Sequence, residues 1–302
     1  MDRSRLLAER LLKAWKPVPG PDAVPRCASS ARIPKRLHQI WLGGEPPAAM
    51  LRNAEALQAS NPGWSHRLYR DADAVEFVEE HYPPEVLRCY ERIDPRYPAA
   101  RSDLLRYLVL YRLGGVYLDL KSGARHPLDE VLRTDDRYLL AHWPNGPGET
   151  YEGWGLWPEL ASQPRGEFVQ WFIAAAAGHP FLRAAIRRVL DNVARYSRVV
   201  DGAGRPGVVR TTGPVAYTLA ILPELARHEH RVVDAERDLG FVYTLVPDWR
   251  SGRETAAHYS TLREPVVVPR ASDRAADLLG DGLVACRAAV RKTLARNPRE
   301  PS

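Results

Sequence analysis

At 302 residues the chain suits one large domain, or one domain with an elaboration, and it can bury a sizeable core. Its 45% hydrophobic and 26% charged content is ordinary for a globular protein and excludes a disordered or fibrous chain. The net charge of +6 suits an anionic partner, but no nucleic-acid motif accompanies it, so nucleic acid is set aside as a partner.

Cys27, Cys89 and Cys286 lie far apart with no paired spacing, which argues against a disulfide framework or a zinc cluster and suits a reducing compartment. No apolar run approaches the ~18 residues of a spanning helix, and no signal-peptide core is present. The expectation is a cytoplasmic protein. Both ends carry basic, apolar-striped segments: "SRLLAERLLKAWKP" spaces Leu7, Leu11 and Trp15 helically, and "DGLVACRAAVRKTLAR" holds Arg287, Arg291 and Lys292. Such helices dock on their own core or lie on an anionic membrane face. The expected division is a basic helical extension over 1–30, a main domain over 31–270 and a basic helix over 271–302.

In chain order, "RLHQIWL" reads as a buried strand closed by Gly43 and Gly44. Pro46 and Pro47 open a helix through "AAMLRNAEALQAS", which "NPG" stops. "WSHRLYR" is a second strand, and Asp71 is placed to cap the helix after it. "PAARSDLLRYLVLYRLGG" is a strong helix ending at Gly114, "GVYLDL" a strand and "RYLLAHW" another. The stretch from Pro144 to Gly166 is a long loop of the kind that usually serves function. "AAAAG", Ala174 to Gly178, reads as tight backbone packing, since it lacks a phosphate loop's Lys-Ser/Thr. "HPFLRAAIRRVLDNVARY" and "GPVAYTLAILPEL" are helical, and "HRVVDA", "FVYTLV" and "EPVVVP" are short strands. The alternation predicts an α/β fold: a largely parallel central sheet flanked by helices.

Ligands of open α/β sheets gather beyond the carboxyl ends of strands. Asp119 lies at such an end, in "GGVYLDLKSG". The helix before it is apolar almost all round and therefore buried. Asp103 and Arg106 nonetheless sit in it three apart, on one face. Buried charges must be paired. Either the two neutralise each other, or they meet a polar ligand beside Asp119, and three charges near one strand end favour the ligand. Trp143, Trp154 and Trp157 flank the long loop, either stacking on sugar rings or forming a small cluster that pins it. Trp41 at a strand end is by itself a core tryptophan. Asp129 and Glu130 suit a helix N-terminus, and His228 and His230 a surface.

"IPKRLHQIWLGG", "NPGW", "ARSDLLRYLVLYRLGGVYLDL", "WFIAAAAGHPFL" and "TTGPVAYTLA" occur in that order, from about Ile33 to about Val268. Together they resemble glycosyltransferase family 32, the sugar transferases with a DXD motif. That family includes fungal initiating α-1,6-mannosyltransferases and bacterial capsular-polysaccharide enzymes, and the clostridial glucosylating toxins are distant relatives of it. The resemblance implies a GT-A-like fold, a nucleotide-sugar donor, a glycan or glycolipid acceptor and retention of anomeric configuration. It puts Trp41 against the nucleotide base, Asp103 and Arg106 on donor hydroxyls, and Asp119 on the sugar, ribose or metal. "AAHYSTLREP" is similar to a late segment that returns over the diphosphate, which gives His258 a metal or phosphate contact and Tyr259 a donor contact.

The sequence departs from the family at one point, because Lys121 stands where the second DXD carboxylate belongs. The leaving diphosphate gains negative charge that a manganese or magnesium ion neutralises in such sites. A lysine ammonium binds phosphate as a point charge, but with three donors and no acceptor it ligates no metal. Lys121 therefore either takes over part of the metal's work, giving a metal-independent enzyme, or leaves the metal to Asp119 and His258. The expectation is a hexosyltransferase. The competing readings are a non-catalytic nucleotide-sugar-binding protein and a nucleotide-sugar hydrolase.

Overall fold

The computed structural model describes residues 18–20, 23–246 and 259–269. Eight strands occur among the described residues: β1 (Arg36–Ile40), β2 (Ser65–Tyr69), β3 (Gly115–Leu118), β4 (Gly123–Ala124), β5 (Tyr138–Ala141), β6 (Phe172–Ala175), β7 (Arg231–Val233) and β8 (Phe241–Val242). Six of them form one sheet in the order β2-β1-β3-β6-β5-β7, while β4 and β8 make a small ribbon. β1 runs parallel to β2 and β3, and β5 parallel to β7; β6 alone is antiparallel to its neighbours. The architecture is α/β and largely parallel, as the alternation of elements predicts.

Side chains alternate across this sheet, and both faces are buried, as a largely parallel sheet requires. Leu37, Val116, Leu118, Leu139 and Phe172 join one core cluster. Tyr117, Tyr138, Leu140 and Ile173 join the other. The helices are α1 (Ala48–Ala59), α2 (Asp71–His81), α3 (Pro84–Arg92), α4 (Pro98–Leu113), α5 (Leu128–Val131), α6 (Pro180–Ala194), α7 (Arg198–Asp201), α8 (Gly204–Thr211) and α9 (Pro214–Ile221). Every residue of α4 from Ser102 to Tyr111 is buried.

Two glycines set α4 against the sheet. Gly114 and Gly115 have φ of +62° and +111°, and a Cβ on Gly115 would lie 2.4 Å from the Arg36 carbonyl oxygen. Only glycine turns this sharply in so little space, so helix and strand follow each other directly. Neutral His38 fixes the joint: its Nε2 sits 3.0 Å from the Gly114 carbonyl and its Nδ1 3.3 Å from the Tyr69 hydroxyl. Burial pushes this imidazole down to about 4.

Several local expectations change. Asp71 is the first helical residue of α2, not its cap; its carboxylate accepts from the Gly43 amide at 3.0 Å. Asp73 takes the capping task, accepting from the Arg70 amide at 2.8 Å. "AAAAG" begins inside β6, although alanine is a poor strand former, because β6 is held between β3 and β5. "EPVVVP" forms isolated bridges from Pro265 to Ala203 and from Val267 to Ile93 rather than a strand. "FVYTLV" is a strand only over Phe241–Val242. Cys27 is half-buried, Cys89 is buried, and Cys286 lies outside the described residues. The terminal helices expected within 1–30 and 271–302 fall on residues outside the described ones. Residues 23–30 run without regular structure, and Val24 is buried against the core.

Candidate active site

β1 neighbours β2 on one side and β3 on the other, so the chain order reverses at β1. Crevices beyond such a reversal are where doubly wound sheets bind ligands. A cavity of about 510 Å³ opens there, and Trp41, Asp103, Arg106, Asp119, Lys121 and Tyr259 all line it. His258 lies outside the described residues. Trp41 follows β1, Asp119 follows β3, and Asp103 and Arg106 reach up from α4 behind them. Tyr259 arrives from a short 3-10 turn, Tyr259–Thr261.

The charges form one chain of contacts. Arg106 Nη2 is 3.0 Å from Asp103 Oδ1, and its Nη1 is 3.3 Å from Asp119 Oδ1. Lys121 Nζ stands 2.7 Å from Asp119 Oδ2, and the Tyr117 hydroxyl donates to Asp119 Oδ1 at 2.8 Å. Arg106 also lies over the Tyr117 ring, 4.6 Å from its centroid. The mutual ion pair read from the sequence therefore exists, and it extends to the strand end.

Residues that the sequence reading passed over complete this floor. Gln170 donates to Asp103 Oδ1 at 3.0 Å, its backbone carbonyl accepts from Arg106 at 2.7 Å, and its side-chain carbonyl accepts from the Tyr107 hydroxyl. Thr212, just past α8, donates to Asp103 Oδ2 at 2.9 Å. Nothing local marks Gln170 or Thr212, because each meets Asp103 only once the chain has folded back over α4.

Burial pushes Asp103 up to about 6, against the pull of Arg106 and Thr212. Burial also raises Asp119, but Lys121 and Arg106 outweigh it and hold its carboxyl below the usual range. Burial and the nearby Asp103 charge raise the Tyr259 phenol to about 12.

Lys121 is held in place from its backbone outward. The Ser122 amide donates to the Asp119 carbonyl at 2.8 Å, closing a tight turn. Asn53 of α1 donates to the Leu120 and Ser122 carbonyls, both at 2.9 Å, and the Leu245 amide donates to the Lys121 carbonyl at 2.8 Å. The ammonium then lies over the Tyr243 ring, 3.9 Å from its centroid. As arranged, these residues do not suit a divalent ion. Both Asp119 oxygens face positive groups, and among the described residues no three His, Cys, Asp or Glu side chains gather as a ligand set.

The cavity continues into an aromatic wall. Trp143 meets Trp154 edge-on at 5.3 Å and Tyr243 at 4.9 Å. Buried Glu167 accepts from the Trp143 indole N–H at 2.8 Å and from that of Trp157. The three loop tryptophans of the sequence thus line the same cavity as the charges. Glu167 carried no signal in the sequence. Asp129 and Glu130 open α5 as expected, with Asp129 bound to Lys35 at 2.6 Å.

Residues 47–138 match the family described as glycosyltransferase sugar-binding region containing DXD motif. Initiation-specific alpha-1,6-mannosyltransferase of Candida albicans is 29% identical over 203 residues, 63% of this chain and 52% of that protein. Inositol phosphoceramide mannosyltransferase 3 of Schizosaccharomyces pombe is 31% identical over 160 residues, 53% of this chain and 38% of that protein. The chain thus spans about half the length, or less, of these curated relatives. Among solved structures, PaToxG glycosyltransferase aligns with a TM-score of 0.47 at 16% identity, covering 74% of this chain and 79% of that one. The matched region contains Asp103, Arg106 and the Asp119–Lys121 triplet together, and over it the chain is similar to the DXD-containing glycosyltransferases.

Proposed function

We propose that the chain is a hexosyltransferase that moves a sugar, on the pattern of its mannosyltransferase relatives, from a nucleotide-sugar donor to a glycan or glycolipid acceptor. The bond from the anomeric carbon to the diphosphate breaks, with its electron pair leaving on the phosphate oxygen. The acceptor oxygen bonds to that carbon with retention, and its proton passes to the departing phosphate. Asp103 and Arg106 hold donor hydroxyls, Asp119 the sugar or ribose, Trp41 the base, and Tyr259 closes over the donor. The Asp119–Lys121 ion pair at the reversal of the sheet is the observation that carries the mechanism. It supports a fixed ammonium doing part of the charge neutralisation that DXD sites obtain from a metal.

The test is product formation from a panel of nucleotide sugars that includes GDP-mannose, with and without a strong chelator. Transfer that survives chelation in the parent, and becomes manganese-dependent or is lost in Lys121→Asp, is expected. A parent that falls to background with chelator and recovers with manganese overturns the role of Lys121. Nucleotide release indifferent to every acceptor would make the protein a hydrolase, and binding without turnover a sugar-nucleotide-binding protein.

The reading keeps the protein at the cytoplasmic face, held on anionic lipid by its basic terminal segments. Among the described residues no helix is long and apolar enough to cross a membrane. Equal co-sedimentation with neutral and anionic liposomes at low salt would remove that part of it.

A further inference from the structure

The cavity has two aromatic sides with the charges between them. Along the sheet edge the order β1, β3, β6, β5 sets Trp41, Asp119, Trp171 and Trp143 side by side. At the usual strand spacing, three steps separate the first from the last by about 14 Å. A donor whose base lies at Trp41 and whose anomeric carbon lies near Asp119 leaves the Trp143 side for something else.

That side is a built basin. Buried Trp143 and Trp171 form its floor with half-buried Tyr243, and Trp154, 45% exposed, is its lip. Tyr243 joins it to the charged floor, since one ring edge-contacts Trp143 while its face carries the Lys121 ammonium. One polar group points to a ligand. Glu167 is a buried carboxylate lining the cavity among apolar rings, a placement that costs desolvation. Its two oxygens each receive one indole N–H, so each keeps acceptor capacity. The basin is also preformed: the Asn145 side chain donates to the Trp154 carbonyl at 2.6 Å and to that of Arg165 at 3.2 Å, while the Glu167 amide donates to the Gly155 carbonyl at 3.0 Å.

We propose that this basin is the acceptor subsite, taking a saturated sugar ring whose apolar C–H face lies on Trp154 and whose hydroxyls reach Glu167. Large rings with few fixed polar groups are what such a ligand needs. The inference rests on the transferase reading, and two measurements separate their failures. Intrinsic tryptophan fluorescence, titrated with methyl α-D-mannopyranoside and no donor, reads the basin alone. A saturable response in the parent that weakens about tenfold or more in Trp154→Ala is expected. No response in the parent up to high millimolar sugar, or an undiminished one in Trp154→Ala, overturns the proposal. Where transfer is observed, Trp154→Ala and Glu167→Gln raise the KM of the acceptor sugar far more than that of the donor. Equal loss on both would assign the basin to the donor or to the fold and overturn the proposal. A parent that binds the sugar but turns over no nucleotide sugar counts against the transferase reading and leaves the basin standing as a sugar site.

Discussion

The α4–β3 block and the Trp143–Trp171 segment line the same cavity by opposite means. In the block, Arg106 serves two carboxylates, Asp119 serves two cations, and every partner is held by a second contact. In the segment, rings meet edge to face, and Glu167 is the one buried charge set among them, satisfied by two neutral indoles. Removing a member of the block strands a buried charge, whereas removing a ring exposes its neighbours. The two halves of one cavity should therefore fail differently.

The largest effect should come from Arg106→Met. It leaves Asp103 and Asp119 without their shared cation, and breaking a buried pair from one side costs about 3–5 kcal/mol. Asp119 is 24% exposed, which places the loss toward the lower end. Urea unfolding should show the midpoint fall, with transfer abolished in whatever remains folded. A loss of unfolding free energy under about 1 kcal/mol would mean that the block is not an interlocked unit.

A middle effect concerns pH. The raised value of Asp103, about 6 against an ordinary 3.8, means that burial favours its protonated form. Its contribution to folding is then full below pH 3.8 and is lost as pH rises through about 6. On the proposed role of Asp103 catalysis runs the other way, because a carboxylate that accepts from donor hydroxyls must be ionised. The kcat/KM should fall below about pH 6 in the parent, and Asp103→Asn should be slow but lack that acid limb. An acid limb unchanged in Asp103→Asn would assign it to another group.

The smallest effect on stability should be that of Trp154→Ala. With 45% of the residue in solvent, truncation should shift the unfolding free energy by no more than about 1 kcal/mol, even as sugar binding weakens. A drop comparable with that of Arg106→Met would make the aromatic segment part of the core and blur the contrast.

The same contrast governs what could be read from the sequence. In α4, Asp103 and Arg106 stand out because polar residues are conspicuous in an apolar helix, and Gly114 and Gly115 announce the turn that aims them. Asp119 follows from its strand end. β6 was illegible as a strand because its alanines carry little strand preference, and its pairing comes only from β3 and β5. Gln170, Thr212 and Glu167 gain their roles from chain segments 65 or more residues away or from a loop crossing that no periodicity encodes. Asp71 lies one position past the cap, Arg70, a scale at which the physics of helix starts barely discriminates. The tryptophans of the long loop were visible, but their common cavity with Asp119 depends on which sheet edge the loop crosses.

The crossing of Gly155 and Gly166 has a consequence for how this protein can diverge. A Cβ on Gly166 would lie 2.3 Å from the Gly155 carbonyl oxygen, so the two strands of the loop are pinched into a neck. At Gly148 and Gly153, by contrast, an added Cβ would meet nothing within 4 Å. Chain on either side of a fixed neck can lengthen cheaply, since doubling a loop costs only about 0.6 kcal/mol. The rim next to Trp154 is thus an interchangeable module. Descendants could try new acceptors by lengthening or recomposing a few surface residues, while the inherited charge machinery at Asp119 stays as it is.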